Sequence, residues 1–322
     1  MKRYKQLTYE QRCQIEVLKK RGDSQTAIAE ALDVSQSAIS RELRRNTGQR
    51  GYRHKQAQRR ATARRQGAYK SIKMTPDVIT LVDQQLALKW SPEQISGWLK
   101  KAHGIALSHE RIYQHIWQDK AHGGDLYQHL RRHGRRYHKR CNGKTSRGQI
   151  KNRVSIDERP DVVEERSRVG DWEIDTVIGK GQSGALVTIV ERATRFTVSA
   201  QVDSKHAAVV TDAVITLLTP YTGAVHTITA DNGKEFAYHE KITAALGTPV
   251  YFAHPYHSWE RGLNENTNGL LRQYWPKETN FKQVTDDEVE QVVDELNNRP
   301  RKVLAFYTPA ELMENHMAAI AA

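Results

Sequence analysis

Residues 172–202 read WEIDTVIGKGQSGALVTIVERATRFTVSAQV. Within them, residues 172–179, 185–191 and 196–202 alternate in polarity or are rich in β-branched residues. Glycines and a short polar turn separate them, which predicts three consecutive strands. Working outward, a helical pattern follows over residues 205–218, and a short apolar strand over 225–230 ends at Asp231. Residues 235–246 are helical in pattern, 249–252 form a short strand, and helical patterns occupy 260–273 and 285–297. Strands followed by alternating helices and strands predict an α/β domain over residues 165–322.

Upstream the periodicity is helical. Residues 8–46 read as three helices. Thr8 is placed to cap the first, which carries Ile15, Val17 and Leu18; Ser24 is placed to cap the second, with Ile28, Ala29 and Leu32 at helical spacing. Asp33-Val34-Ser35 breaks the pattern, and Ser35 is placed to cap a third helix with Ile39 and Leu43 facing inward. Two helices across a tight turn make a helix-turn-helix plan, with Asp33, a residue tolerant of the left-handed conformation, at the turn. The polar face of the third helix is Gln36, Ser37, Ser40, Arg41 and Arg44. Gln and Arg pair bidentately with adenine and guanine edges, so these five are candidate DNA contacts.

Residues 1–50 are thus expected to form a helix-turn-helix domain, and the Arg-dense residues 51–74 a basic helix or arm along phosphates. Thr75-Pro76 opens a further helix with Val78, Ile79, Val82 and Leu86. Ser91-Pro92-Glu93-Gln94 combines a Ser cap, Pro at the first helical position and a capping-box Gln. Ile95, Trp98 and Leu99 follow, Gly104 interrupts, and Ser108 starts a helix with Ile112, Tyr113, Ile116 and Trp117. Residues 75–130 therefore read as a second helix-turn-helix-like module, with Trp98 and Trp117 in its core. Residues 131–153 hold ten Lys and Arg and no acid, so residues 131–164 read as a basic linker.

Charge follows the same division. Residues 1–153 carry 34 Lys and Arg against 12 Asp and Glu, a net of +22; residues 154–322 carry 16 against 25, a net of −9. A basic half joined to an acidic half points to a nucleic-acid binder fused to something else. At 322 residues the chain is long enough for two or three domains. It holds no unbroken run of 18 apolar residues, and no apolar segment follows its first residues. Cys13 and Cys141 lack metal spacing, so a cytoplasmic protein with free thiols is the expectation.

Three acids stand out by position. Asp175 lies mid-strand beside Ile174, where an unpaired carboxylate would be costly. Asp231 ends the fourth strand, and ligand sites in open α/β sheets collect at such ends. Glu265 lies on a helix with Asn268 at i+3 and Arg272 at i+7 on one face. Three converging carboxylates need a cation, and hard oxygen ligands suit Mg²⁺ or Mn²⁺; two such ions would serve an in-line phosphoryl displacement. Pattern alone leaves Asp171 open beside Asp175, and Glu260 beside Glu265.

The stretches 172–176 (WEIDT), 230–236 (ADNGKEF) and 260–266 (ERGLNEN) resemble the integrase-core motifs of retroviral integrases and bacterial transposases, a ribonuclease-H-like fold. Fifty-five residues separate Asp175 from Asp231, and 33 separate Asp231 from Glu265. Residues 264–274 (NENTNGLLRQY), 297–302 (NNRPRK) and 308–312 (TPAEL) are similar to the family-thirty insertion-sequence transposases, as is the front helix-turn-helix with Ser40-Arg41-Glu42-Leu43. The resemblance implies that Asp175, Asp231 and Glu265 are the catalytic metal ligands for two Mg²⁺ ions, and that Arg272 contacts DNA near the reacting end. It implies binding to terminal inverted repeats and target DNA, strand cleavage and transfer, a homodimer or larger assembly, and a place at the bacterial nucleoid. The alternatives are a ribonuclease-H-type nuclease and a DNA-binding regulator derived from such an enzyme. His254, Tyr256, His257 and Trp259, just before the third acid, are placed either to contact a frayed DNA end or to pack the loop.

Overall fold

The computed structural model describes residues 6–67, 73–131, 150–255 and 257–322. Part of the basic arm (68–72), most of the basic linker (132–149, with Cys141) and Tyr256 lie outside the described residues. The chain divides into two units, one ending at Ile72 and one starting at Lys73.

The first unit is helical: α1 (Tyr9–Arg21), α2 (Gln25–Ala31), α3 (Gln36–Asn46) and α4 (His54–Gln66). Thr8, Ser24 and Ser35 each cap the helix they precede, accepting from the backbone N–H three residues on. Asp33 adopts φ 50° at the turn between α2 and α3, as the left-handed tolerance of Asp predicts. Ile15, Ile28, Ile39 and Leu43 form the core. Val17 does not join them; it is 65% exposed, because Ile15 and Leu18 already occupy the inner side of α1. The residues expected as a basic helix or arm supply the helix α4, and it packs on this core, with Ala57 fully buried. Beneath α3, Arg12 donates to both oxygens of Glu42 (2.9 and 3.3 Å), and the Tyr52 hydroxyl donates to the same carboxylate.

The second unit opens with α5 (Pro76–Ala87), α6 (Pro92–His103) and α7 (His109–Ala121). The capping box at Ser91 and Gln94 forms, and Gly104 is left-handed. Val82, Leu86, Ile95, Leu99, Ile112 and Ile116 are buried between the three helices. Trp98 packs at the edge of this cluster, but Trp117 is 42% exposed. Ile112 and Ile116 take the inner face of α7, and the residue after Ile116 is turned away by about 100°.

The α/β part follows: β1 (Val154–Ser155), α8 (Val162–Glu165), β2 (Asp171–Ile178), β3 (Ala185–Glu191), β4 (Thr197–Val202), α9 (Ala207–Leu218), β5 (Thr227–Ala230), α10 (His239–Leu246), β6 (Val250–Phe252), α11 (Gly262–Leu271), α12 (Asp286–Asn297) and α13 (Pro309–Ala321). The sheet order is β1-β6-β5-β2-β3-β4. β1, β6, β5 and β2 are mutually parallel, whereas β3 runs antiparallel to both β2 and β4. Three antiparallel strands continued by parallel ones is the ribonuclease-H-like arrangement. β3 is buried along its whole length, which fits a run that is apolar apart from Thr188 and the terminal Glu191. α9 and α10 cover one face through Val210, Val214, Ile242 and Leu246; α11 and α12 cover the other through Leu271, Val289 and Leu296.

Residues 150–164 of the expected linker pack with this sheet. Ile150 and Val163 are buried, and β1 adds a sixth strand. A two-residue strand is too short to show a period, so its sequence reads as linker. Among the described residues one stretch, Ala207–Ala224, is long and apolar enough on average to cross a membrane. It is α9 with the single 3₁₀ stretch that follows, and Val210, Val214 and Leu218 on it are fully buried in the core.

Candidate active site

Strand parity builds the site. On β2, Trp172 and Ile174 point into the core under α9 and α10, so Asp171, Glu173, Asp175 and Val177 point toward the α11 side. β2 pairs in parallel with β5, Glu173 opposite Thr229. Two residues further on both strands stand Asp175 and Asp231, side by side where β5 ends.

Arg261, which precedes α11, lies between the two carboxylates. Its Nη1 is 3.6 Å from Asp175 Oδ1 and its Nη2 is 3.3 Å from Asp231 Oδ2. The same guanidinium donates to the Ile174 carbonyl at 3.1 Å. Asp175 Oδ1 also accepts from the Thr176 N–H (2.9 Å), and Oδ2 accepts from the Asn268 amide (2.9 Å). Thr188 on β3 donates to the Asn268 carbonyl oxygen (3.1 Å), fixing which way that amide points. Burial pushes the Asp175 carboxyl above the ordinary range; Arg261 opposes this and the Asp231 charge adds to it. Asp231 Oδ1 accepts from the Gly233 N–H at 2.7 Å, and a Cβ on Gly233 would crowd the Glu235 carboxylate (2.5 Å) and this oxygen (2.7 Å). Asn232 accepts from Arg153 and donates to the Ala253 carbonyl. A cleft of about 650 Å³ opens beside Asp231, lined among others by Lys205, His206 and Lys234.

Glu265 is exposed on the first turn of α11, one turn before Asn268. It makes no hydrogen bond or ion pair among the described residues. Glu173, buried and paired with Arg192 at 2.6 Å, accepts from the Asn264 N–H and so anchors the start of α11. Asp175 and Asp231 are therefore brought together, and Glu265 rides on the helix that touches Asp175.

The rivals occupy different places. Asp171 sits at the other end of β2, 1% exposed, bound by Arg168 and by the Thr227 hydroxyl. Glu260 accepts from His254 and His257. Burial works to raise its carboxyl, and the bonds from His254 and His257 outweigh that and hold it low. His254 in turn is held above its ordinary value by Glu260 first and then by Asp157. Arg272 does not face the carboxylates. It is half-buried and donates to the backbone carbonyls of Ile178, Trp275 and Pro276, so a phosphate would have to compete with these for its N–H groups. In the first unit, Gln36, Ser37, Arg41 and Arg44 are exposed and Ser40 is half-buried, all on α3; Gln36 reaches Gln25 at 3.2 Å.

Sequence reasoning missed Arg261 and Thr188. Arg261 stands in the ERG triplet beside the two competing glutamates, which was its only signal; Thr188 had none.

A family model described as a helix-turn-helix domain matches residues 3–46, and one described as an integrase core domain matches residues 166–258. The chain is 46% identical over 310 residues to the transposase for insertion sequence element IS4351 of Bacteroides fragilis, covering 95% of each chain. It is 39% identical over 305 residues to transposase InsI for insertion sequence element IS30A of Escherichia coli (strain K12), covering 91% of this chain and 79% of that one. The transposase for insertion sequence element IS1086 of Cupriavidus metallidurans is 36% identical over 335 residues, covering 98% and 96%. Helix-turn-helix, integrase core and full-length similarity coincide in one chain, which belongs to the IS30 family of insertion-sequence transposases, DNA-binding polynucleotidyl transferases whose core depends on divalent metal.

Proposed function

We propose that Asp175, Asp231 and Glu265 are the carboxylates on which this transposase cuts and joins DNA. The observation that carries the reading is the pair Asp175–Asp231 on adjacent strands with a guanidinium between them. Two carboxylates held this close accept positive charge, and their oxygen-only donor set fits a hard divalent ion, Mg²⁺ with Mn²⁺ as substitute. Asp175, Asp231 and Glu265 would hold two such ions, which when bound polarise the scissile phosphate and lower the pKa of the attacking hydroxyl.

The chain's own residues prepare this chemistry. Asn268, itself held by Thr188, points Asp175 Oδ2, and the Gly233 N–H points Asp231 Oδ1. Lys205 and Lys234 line the cleft beside Asp231, where a phosphate backbone would run. Arg261 offsets the negative charge of the carboxylate pair. Water opens the phosphodiester at the element end, and the released 3′-hydroxyl then attacks another strand in the same site. Phosphodiester exchange is close to isoenergetic, so no nucleotide is consumed.

The exposed face of α3, with Gln36, Ser37, Ser40, Arg41 and Arg44, would read the terminal inverted repeats in the major groove. Two ends must be held together, so a homodimer or larger assembly on the nucleoid is the working form. The test uses purified protein, a labelled inverted-repeat end and Mg²⁺. Asp231→Asn is expected to abolish cleavage and joining while leaving the gel shift of the end intact. Joined products from that variant would overturn the site assignment.

A further inference from the structure

Beside the carboxylate pair, the turn that leads into α11 holds a second cluster. His254, His257 and Glu260 follow one another at intervals of three. The His257 N–H bonds the His254 carbonyl (3.2 Å), and the Glu260 N–H bonds the His257 carbonyl (3.1 Å). The two turn bonds bring the three residues close along the chain. The two imidazoles converge on the Glu260 carboxylate. His254 Nδ1 and His257 Nδ1 lie 2.9 and 3.0 Å from the same Glu260 oxygen, and one ligating atom from each residue lies within 4.8 Å of the others.

We propose that His254 Nδ1, His257 Nδ1 and the Glu260 carboxylate form a metal site of their own, for Zn²⁺ or a similar divalent transition ion, separate from Asp175, Asp231 and Glu265. Two imidazoles and one carboxylate make a borderline nitrogen–oxygen set. Such a set favours Zn²⁺ over Mg²⁺, which prefers oxygen alone. Ligand atoms around a tetrahedral Zn²⁺ stand about 3.3 Å apart, close to the two nitrogen–oxygen separations here.

A second observation concerns the far side of the His254 ring. Its Nε2 lies 2.9 Å from Asp157 Oδ2, so both ring nitrogens face carboxylate oxygens. A neutral imidazole carries one N–H and satisfies one of the two. With a cation on Nδ1, the proton rests on Nε2 and points at Asp157, the carboxylate–histidine–metal relay that fixes tautomer and ring orientation. His257 is likewise held, its ring stacked on Trp259 at 4.3 Å between centroids. His254 and His257 are partly exposed, which leaves a fourth position open to water or to a DNA group. Through Asp157 the ion would brace the segment after β1 against the residue next to Arg261, and so steady the approach to the catalytic carboxylates.

The test uses untagged full-length protein stripped with a chelator. Co²⁺ is the probe, read by its visible absorption in a nitrogen-rich four-coordinate site, followed by displacement with Zn²⁺ in excess Mg²⁺. Wild type and Asp231→Asn are each expected to bind one Co²⁺ per chain. His254→Ala and His257→Ala are expected to weaken it at least ~10-fold. His257→Gln keeps a donor toward Glu260 but removes the imidazole; unchanged far-UV dichroism with lost Co²⁺ absorption separates ligation from folding. No Co²⁺ absorption in wild type, equal absorption in the histidine variants, or its loss in Asp231→Asn would overturn the proposal. The last result would place the ion on the catalytic carboxylates.

Discussion

Asp175 owes its setting to three neighbours. Burial and Asp231 disfavour its charge, Arg261 favours it, and the Asn268 amide fixes one oxygen. Asn268 is a positioning residue, acting through Asp175. Asn268→Ala is expected to lower end cleavage 10–100-fold and raise the divalent ion concentration needed for half-maximal rate, with DNA affinity within about twofold. Unchanged metal dependence would show that the amide serves packing alone. His254 supplies a pH signature. In the folded, metal-free chain the contacts with Glu260 and Asp157 hold its pKa above the ordinary value. The associated stabilisation is present below the ordinary value of about 6.5 and is lost as pH rises through the raised one. An NMR titration of stripped protein should place His254 above 6.5, the ordinary value, and Asp157→Asn should bring it down; an unshifted midpoint in both would dismiss the two contacts.

At the scale of elements, α3 has two jobs on two faces. Its inner face holds Glu42, 8% exposed, bound by Arg12 and Tyr52. Glu42→Ala leaves Arg12 buried without its counter-charge and is expected to cost about 3–5 kcal/mol by chemical denaturation. Its outer face holds Arg41 and Arg44. Arg41→Ala and Arg44→Ala should stay within about 0.5 kcal/mol of wild-type stability yet weaken binding of the inverted-repeat end by about 1–3 kcal/mol. Equal affinity for a scrambled end in wild type would remove the reading role from α3. The α11 helix is divided in the same way. Leu271 is buried under the sheet, Asn268 touches Asp175, and Glu265 faces outward.

At the scale of the second unit, α6 is clamped to the chain between α12 and α13. Glu93 pairs with Lys302 at 2.7 Å, and Lys101 lies over the Tyr307 ring and reaches the Phe306 carbonyl. Ala305 and Phe306 both have positive φ, 50° and 63°, which is costly for residues with side chains. Backbone bonds to Lys302 and Arg301 hold them there, and the Phe306 ring packs against Gly97, where a Cβ would overlap the ring. Gly97→Ala is expected to destabilise this unit by about 1–3 kcal/mol, read by thermal or denaturant unfolding, and Phe306→Leu in the same chain to restore part of it. Insensitivity to Gly97→Ala would mean that the clamp is loose.

Local chemistry was enough for most of the element list. The Ser and Thr caps, the Asp33 turn, the parity of β2 and the split of charge each depend on neighbours within a few residues, so they are legible in the chain. Asp175 against Asp171 was not, because both have the same strand parity. The parallel register of β2 with β5 places Asp175 beside Asp231 and leaves Asp171 beside Thr227 and Arg168. Arg261 and Thr188 were invisible for the same reason, since each matters only through a partner distant in sequence: Arg261 through Asp175 and Asp231, Thr188 through Asn268. β1 was misread because it is too short for a period, and the packing of α4 went unseen because it is too rich in Arg to look buried. The sequence by itself determined which residues could carry charge, cap or pack, since these are properties of side chains and their spacing. Which carboxylates meet, and what cation stands between them, was decided only by the tertiary structure, because electrostatic coupling depends on distance in space.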